Sequence, residues 1–263
     1  MEKIYGFKSL KEHYRREEIA KSYEKLRFSN LAGKIEHEIT IHLLNSIIDK
    51  EQPKLVLEIA TGPGRVTKYI KLPNKGIGID TSESMLKLAR ENVSNKNWKF
   101  IKADINKMPF KQDFNMVITF RLLMHFTDKQ RNDAYKKIQK ILKNNGTLIF
   151  DIGNKDYKKP FLTKFLLMFY RLFKKEKKNK LLPRIYNNPV RIEDLVNELK
   201  SNKFDVVKIY GINYYSNLVL LLLSLSKRLK FLSSFIKFFI IRIERKNQNK
   251  LENYAMFIVV TQK

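Results

Sequence analysis

Leu55-Val56-Leu57-Glu58-Ile59-Ala60-Thr61-Gly62-Pro63-Gly64-Arg65 is the stretch on which the reading of this chain turns. Its opening residues are apolar apart from Glu58, and the run is too short for a buried helix. It therefore predicts a buried strand over residues 55–60 that ends in a glycine loop, with a helical run expected from Arg65. Small residues where a strand opens into a helix let a ligand come close to the backbone, as nucleotide-type loops require. Two familiar loops of this kind do not fit. A dinucleotide loop needs Gly-x-Gly-x-x-Gly, and counting from Gly62 and Gly64 the third position holds Thr67. A Walker A loop needs a following Gly-Lys-Ser/Thr, which is absent.

Outward from this stretch the pattern repeats. Residues 76–80, 99–104, 114–120 and 146–152 read as further short apolar strands. Residues 82–93, with Ser82 placed to cap them, and 128–142 read as helices. Upstream, residues 8–50 read as helix, with Ile41, Leu43, Leu44, Ile47 and Ile48 at helical spacing until Glu51-Gln52-Pro53 stops it. Nearly continuous apolar strands alternating with helices predict an α/β fold with a parallel sheet covered on both faces. The alternation breaks after Asp151 and resumes with a helix over 192–200 and a strand over 204–210. It breaks again before a last strand over 254–261. No internal repeat or low-complexity linker is present. One domain over 1–263 is expected, with an N-terminal helical segment 1–52, a core 53–153 and two insertions, 154–190 and 213–250.

Composition narrows the setting. The 263 residues carry 43% hydrophobic and 30% charged side chains, a globular balance. Without cysteine there can be no disulfide, thiolate metal site or cysteine nucleophile, and no metal site is expected. Lys and Arg number 53 against 26 acids, a formal charge of +27, which favours phosphates, nucleic acid or anionic lipid. The compositional drift of an A- and T-rich genome gives the same excess, because Lys dominates it beside abundant Asn and Ile. The N-terminal residues lack the apolar core of a signal peptide, and the apolar stretches 161–173 and 218–243 are broken by Lys and Arg. A cytoplasmic location is the expectation.

The loop resembles the first motif of class I S-adenosylmethionine-dependent methyltransferases: an acidic residue, a small residue, then Gly-x-Gly after the first strand. Glu58, Ala60, Gly62 and Gly64 match it, with Ala60 where glycine is commoner, a mild departure on grounds of size. Asp80, in Gly78-Ile79-Asp80-Thr81-Ser82, stands where the family has its ribose-binding acid. Asp104, in Ala103-Asp104-Ile105, stands where it has an adenine-facing acid. Residues 140–148 resemble the turn into the fifth strand, with Asn144-Asn145 for the usual Pro-Gly. The resemblance implies S-adenosyl-L-methionine as cofactor. It also implies a Rossmann-like, doubly wound, seven-stranded sheet, mostly parallel with an antiparallel last strand, plus N-terminal helices and two lid insertions.

Chemistry supports these roles. An ionised carboxylate only accepts, so Asp80 suits two ribose hydroxyls and Asp104 an exocyclic amine. Backbone N–H groups around Thr61, at a helix start, suit the cofactor's carboxylate. Thr81 and Met85 are expected against adenine, and Ile105 and Phe120 are further expected cofactor-binding residues; Met85 as plain core, and Asp80 and Asp104 as ordinary caps, are the alternatives. His125 follows the fourth strand and in the family's layout faces the reactive end. It is the candidate base, with packing of the next helix as the alternative. Tyr23 and Arg27 resemble a Tyr-x-x-x-Arg-Phe pattern of small-molecule methyltransferases, which implies contact by Tyr23 with cofactor or substrate.

For the acceptor, the strand-four element of base-amine methyltransferases and any appended RNA-binding module are missing, so nucleic acid is the less favoured partner. Residues 155–184 hold eleven cations and two acids among many Phe and Leu, and 217–250 hold eight cations and one acid. Basic apolar stretches of this kind suit an anionic membrane surface or a lid over the substrate. A small lipophilic acceptor is the expectation, with RNA methylation or a non-catalytic cofactor-binding or membrane-docking role as alternatives. Oligomeric state is left open.

Overall fold

Seven strands join in one sheet in the computed structural model, which describes residues 4–5, 12, 14–20, 31–71, 74–111, 114–157, 184–185, 187–212, 234, 238, 241–242 and 251–263. In chain order the strands are β1 (Leu55–Ile59), β2 (Lys75–Asp80), β3 (Trp98–Lys102), β4 (Phe114–Thr119), β5 (Leu142–Gly153), β6 (Asp205–Ile212) and β7 (Met256–Gln262). Across the sheet they run β3-β2-β1-β4-β5-β7-β6. The pairs among β1 to β5 are parallel, and β7 is antiparallel to both its neighbours, β5 and β6. The helices are α1 (Leu31–Glu51), α2 (Glu83–Asn92), α3 (Asp128–Ile141) and α4 (Ile192–Ser201). This is the mostly parallel α/β sheet that the alternation predicts, and its antiparallel strand is the last, as the resemblance implies. A separate two-residue pairing joins Ile4–Tyr5 to Arg184–Ile185 in parallel.

Strand residues point alternately to opposite faces, and both faces are apolar. Leu57, Ile59, Val117, Leu148 and Phe150 pack on one side with Tyr135 and Ile138 of α3 and with Leu195 and Leu199 of α4. Val56, Met116, Ile118 and Ile149 pack on the other with Leu44, Ile47 and Ile48 of α1. Burying each such side chain contributes roughly 1.5–3 kcal/mol, which explains why the central strands read as unbroken apolar runs. Buried Arg131 fastens α3 to α4 through two hydrogen bonds to Glu198, Nε to Oε1 at 3.0 Å and Nη2 to Oε2 at 2.9 Å.

Several boundaries move for local reasons. β1 stops at Ile59 because Ala60 turns to φ 59. β3 stops at Lys102, so Asp104 lies beyond the strand as the cap of a short 3-10 turn, Ile105–Lys107. β5 begins early, at Leu142, and its register against β4 slips between Phe114 and Met116. Asn145 absorbs the slip at φ 61, a left-handed conformation that asparagine tolerates.

The helical run expected from Arg65 is not an α-helix. Only a 3-10 turn forms, Thr67–Tyr69, and it ends at extended Ile70 (φ -72, ψ 123). The Thr67 side chain is tied back to Glu58, and Pro73 follows too soon in the sequence for a helix to continue. Of the helix expected over 8–50, α1 and a short helical stretch within 14–20 are described. Tyr23 and Arg27, and most of 155–184 and 217–250, lie outside the described residues. Among the described residues no helix is long and apolar enough to cross a membrane.

Candidate active site

A cleft opens at the carboxyl ends of β1, β2 and β4, where an α/β sheet ordinarily receives its ligand. Glu58, Ala60, Thr61, Gly62, Asp80, Thr81, Met85, Asp104, Ile105, Phe120 and His125 all line it. Of the remaining residues expected there, Gly64 does not line the cleft and Tyr23 is outside the described residues.

Gly64 has another task. At φ 79 it lies against α2, where an added Cβ would come within 2.8 Å of Val93 Cγ2 and 3.3 Å of Ala89 Cα. It is a packing residue that seats the loop on α2. Gly62, at φ 57, has nothing within 4 Å of such a Cβ, so its side is open to a ligand and only its backbone conformation demands glycine. Ala60 stands at φ 59, so its departure from glycine is conformational as well as a matter of size. Ala60→Gly is expected to stabilise the fold by about 0.5–1 kcal/mol, since relief of the left-handed alanine outweighs the flexibility that glycine adds to the unfolded chain. Urea unfolding would check this, and a loss of stability would count against a strained loop.

Glu58 is buried beneath the loop. Its Oε2 accepts from Thr61 Oγ1 at 3.0 Å and from Thr67 Oγ1, while the two hydroxyls lie 2.7 Å apart. Thr67, which breaks the dinucleotide pattern, thus serves to tie the loop to β1. Burial pushes the Glu58 carboxyl up to about 7, against the pull of the Thr67 and Thr61 hydrogen bonds.

The sign of the consequence follows from linkage. Between the ordinary 4.5 and about 7 the folded state holds a proton that the unfolded state has released, so stability falls as pH rises through that window. The full effect is up to about 3 kcal/mol. His37 works in the opposite sense: burial, then Arg65, lower it from 6.5 to about 4, so stability rises with pH between those values. The Glu58 contribution is therefore isolated by comparison with Glu58→Gln. The unfolding free energy of the native protein minus that of the variant is expected to decline from pH 4.5 to pH 7, and a flat difference would contradict the buried protonated carboxyl.

Asp80 closes the loop from the other side. Gly62 N donates to its Oδ2 at 3.0 Å and Ser82 N to its Oδ1 at 2.9 Å, while the residue stays partly exposed to the cleft. Burial raises its pKa against those backbone hydrogen bonds. Each oxygen keeps lone-pair capacity for a further donor. Asp104 does perform the capping duty weighed as the alternative, with Asn106 N donating to Oδ1 at 2.9 Å, and it also faces the cleft. Met85 is both core, at 3% exposure, and lining. Tyr14 covers the cleft beside α2, where its carbonyl accepts from Ser82 Oγ at 3.0 Å.

The cleft is also lined by charges that sequence patterns did not single out. Arg65 lines it and its Nη1 lies 2.7 Å from His37 Nδ1 on α1. Because the imidazole is kept neutral, that nitrogen accepts and the guanidinium is held without a second cation. Arg121 lines the cleft at φ 59. Its backbone N–H donates to Asp151 Oδ1 at 2.7 Å, its Nε is 3.6 Å from Asp151 Oδ2, and Nη2 pairs with Glu36 of α1. Burial raises the Asp151 carboxyl, with Arg121 opposing. One signal was available: Asp151 is the lone acid in the otherwise apolar 148–152, a place where a charge needs a partner. The partners Glu36 and Arg121 are 85 residues apart, so no local pattern joins them. His125 ends a 3-10 turn, Leu123–His125, is largely buried, and lines the cleft near Arg121.

Comparison with known proteins agrees with this geometry. A family model described as a methyltransferase domain matches residues 56–146. An uncharacterized methyltransferase of Anoxybacillus flavithermus is 28% identical over 112 residues, which cover 41% of this chain and 50% of that protein. The malonyl-[acyl-carrier protein] O-methyltransferase of Priestia megaterium is 26% identical over 139 residues, 51% of this chain and 48% of that protein. The chain thus spans about half the length of these curated relatives.

Among solved structures, the magnesium protoporphyrin IX methyltransferase of Synechocystis with bound S-adenosylhomocysteine superposes with a TM-score of 0.55 at 14% identity, over 87% of this chain and 84% of that one. Human N-acetylserotonin methyltransferase in complex with S-adenosylmethionine gives 0.57 at 15% identity, over 95% of this chain and 57% of that one. At such identities the superpositions speak for the fold alone, and the sequence match over the glycine loop, Asp80 and Asp104 speaks for the family. Residues 56–146 thus match a methyltransferase domain, and the chain is similar there to S-adenosylmethionine-dependent methyltransferases of class I.

Proposed function

We propose that the protein transfers a methyl group from S-adenosylmethionine to a small, lipophilic acceptor. The observation that carries the reading is Asp80, which bridges the Gly62 loop and the start of α2 yet keeps a face in the cleft. A lone capping aspartate has no need of that exposed face. The residues suit the cofactor: an open, left-handed Gly62, carboxylates at Asp80 and Asp104, and apolar Ile105 and Met85 in the same lining. When bound, the cofactor supplies an electrophilic methyl on a sulfonium, open to in-line displacement.

The chain's own groups then divide the work. Asp80 accepts from ribose hydroxyls and Asp104 from the adenine amine. Since no α-helix begins at the loop, the anion attraction of a helix start does not apply, and the Arg65 guanidinium held by His37 supplies the positive charge for the carboxylate end. His125 takes a proton from the acceptor when one must leave, and Phe120 and Leu122 exclude water around it.

Sequence composition is what supports a lipophilic acceptor: the basic, Phe- and Leu-rich stretches 155–184 and 217–250 suit a lid or an anionic membrane surface, at the cytoplasmic face. The test is incubation of the protein and radiolabelled S-adenosylmethionine with cell extract, followed by partition of the label. Label in the organic fraction is the expected result. Label in RNA would make the protein an RNA methyltransferase, and none in any fraction would leave a non-catalytic cofactor-binding protein.

A further inference from the structure

The segment from Phe120 to Phe126 brings Arg121 and His125 to the cleft, and it is held from both ends by residues outside it. At its start Asp151 grips Arg121 twice, through the backbone N–H at 2.7 Å and through Nε at 3.6 Å. That double hold sustains a left-handed conformation, φ 59, that a non-glycine residue adopts only when its surroundings impose it. At its end Asn188 donates its backbone N–H to Met124 O at 2.8 Å and its Nδ2 to Phe126 O at 3.1 Å. Within the segment the 3-10 turn closes through His125 N to Leu122 O at 3.0 Å and Phe126 N to Leu123 O at 3.1 Å. Asn188 therefore grips the carbonyls on either side of His125, and Asp151 fixes the entry to the same turn.

Neither residue lines the cleft. Each is nevertheless anchored to rigid structure. Asp151 lies within β5, and Asn188 Nδ2 also bonds Asp128 Oδ1 at 3.0 Å at the start of α3, where Arg131 Nη1 reaches the same Phe126 carbonyl at 3.3 Å. Burial of Asp151, at 2% exposure, makes its grip costly to replace. The 3-10 turn Leu123–His125 closes on itself by only two backbone hydrogen bonds, so these outside contacts help to fix the direction of the His125 ring.

We infer that Asp151 and Asn188 are positioning residues for the acceptor end of the site, clamping the 120–126 turn so that Arg121 and His125 face the cleft. The inference rests on the methyl-transfer reading only in naming that end the acceptor end; the clamp itself is a matter of geometry.

The test combines histidine spectroscopy with binding. The chain has four histidines, His13, His37, His42 and His125, so the ring C–H signals of carbon-13-labelled histidine are few, and His125→Gln assigns the one of interest. In Asn188→Ala, which keeps the backbone N–H on Met124 O but loses the Nδ2 bonds to Phe126 O and Asp128 Oδ1, the His125 signal is expected to move while those of His37 and His42 stay in place. Affinity for S-adenosylhomocysteine, measured by calorimetry, is expected to stay within about threefold, and methyl incorporation from labelled cofactor into cell extract to fall by tenfold or more. Asp151→Asn, which keeps an oxygen for the Arg121 N–H, is expected to move the His125 signal less than Asp151→Ala. If buried Asp151 variants fail to fold, Asn188→Ala decides the matter. A folded Asn188→Ala protein whose His125 signal coincides with the native one overturns the clamp. Native protein that does not bind S-adenosylhomocysteine would instead sink the methyl-transfer reading, with the comparison of histidine signals still valid.

Discussion

Asp80→Ala is expected to weaken S-adenosylhomocysteine binding by about 30- to 150-fold, the equivalent of roughly 2–3 kcal/mol for loss of a charged acceptor to two hydroxyls. The structure adds a second cost, because the same carboxylate takes the backbone N–H groups of Gly62 at 3.0 Å and Ser82 at 2.9 Å, and without it the loop loses its tie to β2. Asp80→Asn separates the two contributions. One amide oxygen still accepts from one backbone donor, but the NH2 faces the other, so loop and ribose site are both impaired with the volume unchanged. Calorimetry on both variants, with thermal unfolding in parallel, checks the expectation. Unchanged affinity in a folded Asp80→Ala protein would remove Asp80 from the ribose site, and tighter binding of NAD than of S-adenosylhomocysteine would contradict the cofactor assignment.

His125→Ala is expected to lower methyl transfer by about 10²–10⁴-fold if the acceptor must give up a proton, with cofactor affinity unchanged, since general-base catalysis contributes on that scale. The ring is largely buried in a turn of its own and lines the cleft from the segment after β4, whereas Asp80 ends β2. Its removal should therefore separate turnover from cofactor binding. A loss of rate that merely follows a loss of thermal stability would identify His125 as a packing residue. A small loss in a stable protein would mean that alignment of the reacting groups, and not proton removal, supplies the acceleration.

The order of strands and helices was legible from residues 55–152 because parallel strands covered on both faces leave an unmistakable mark, a short apolar run bounded by loop residues. Asp80 and Asp104 were legible for a similar reason. Asp80 ends β2 and Asp104 stands two residues beyond β3, and the end of a parallel strand places such residues at the carboxyl end of the sheet whatever the rest of the chain does. The length of the helix after the glycine loop was not, because propensity from Arg65 onward competes with the Thr67 hydroxyl's attachment to Glu58, a contact across the loop. The packing duty of Gly64 was not legible for the same kind of reason: its tight neighbours are Ala89 of α2 and Val93 just after it.

The sequence by itself determined the α/β class, the glycine loop, the two acids at strand ends and the likeness to methyltransferases, since each depends on residues near one another in the chain or on their order along it. Only the tertiary structure decided that Ala60 and Arg121 take left-handed backbones, that Glu58 serves the loop through two threonine hydroxyls, and that Arg121 is shared by Glu36 and Asp151. It also decided that Asn188 holds the turn bearing His125. Each of these depends on bringing α1, the β4 turn, β5 and the segment before α4 to one place. Partners for a buried charge or a backbone carbonyl are chosen by distance in space, of which separation along the chain carries no record.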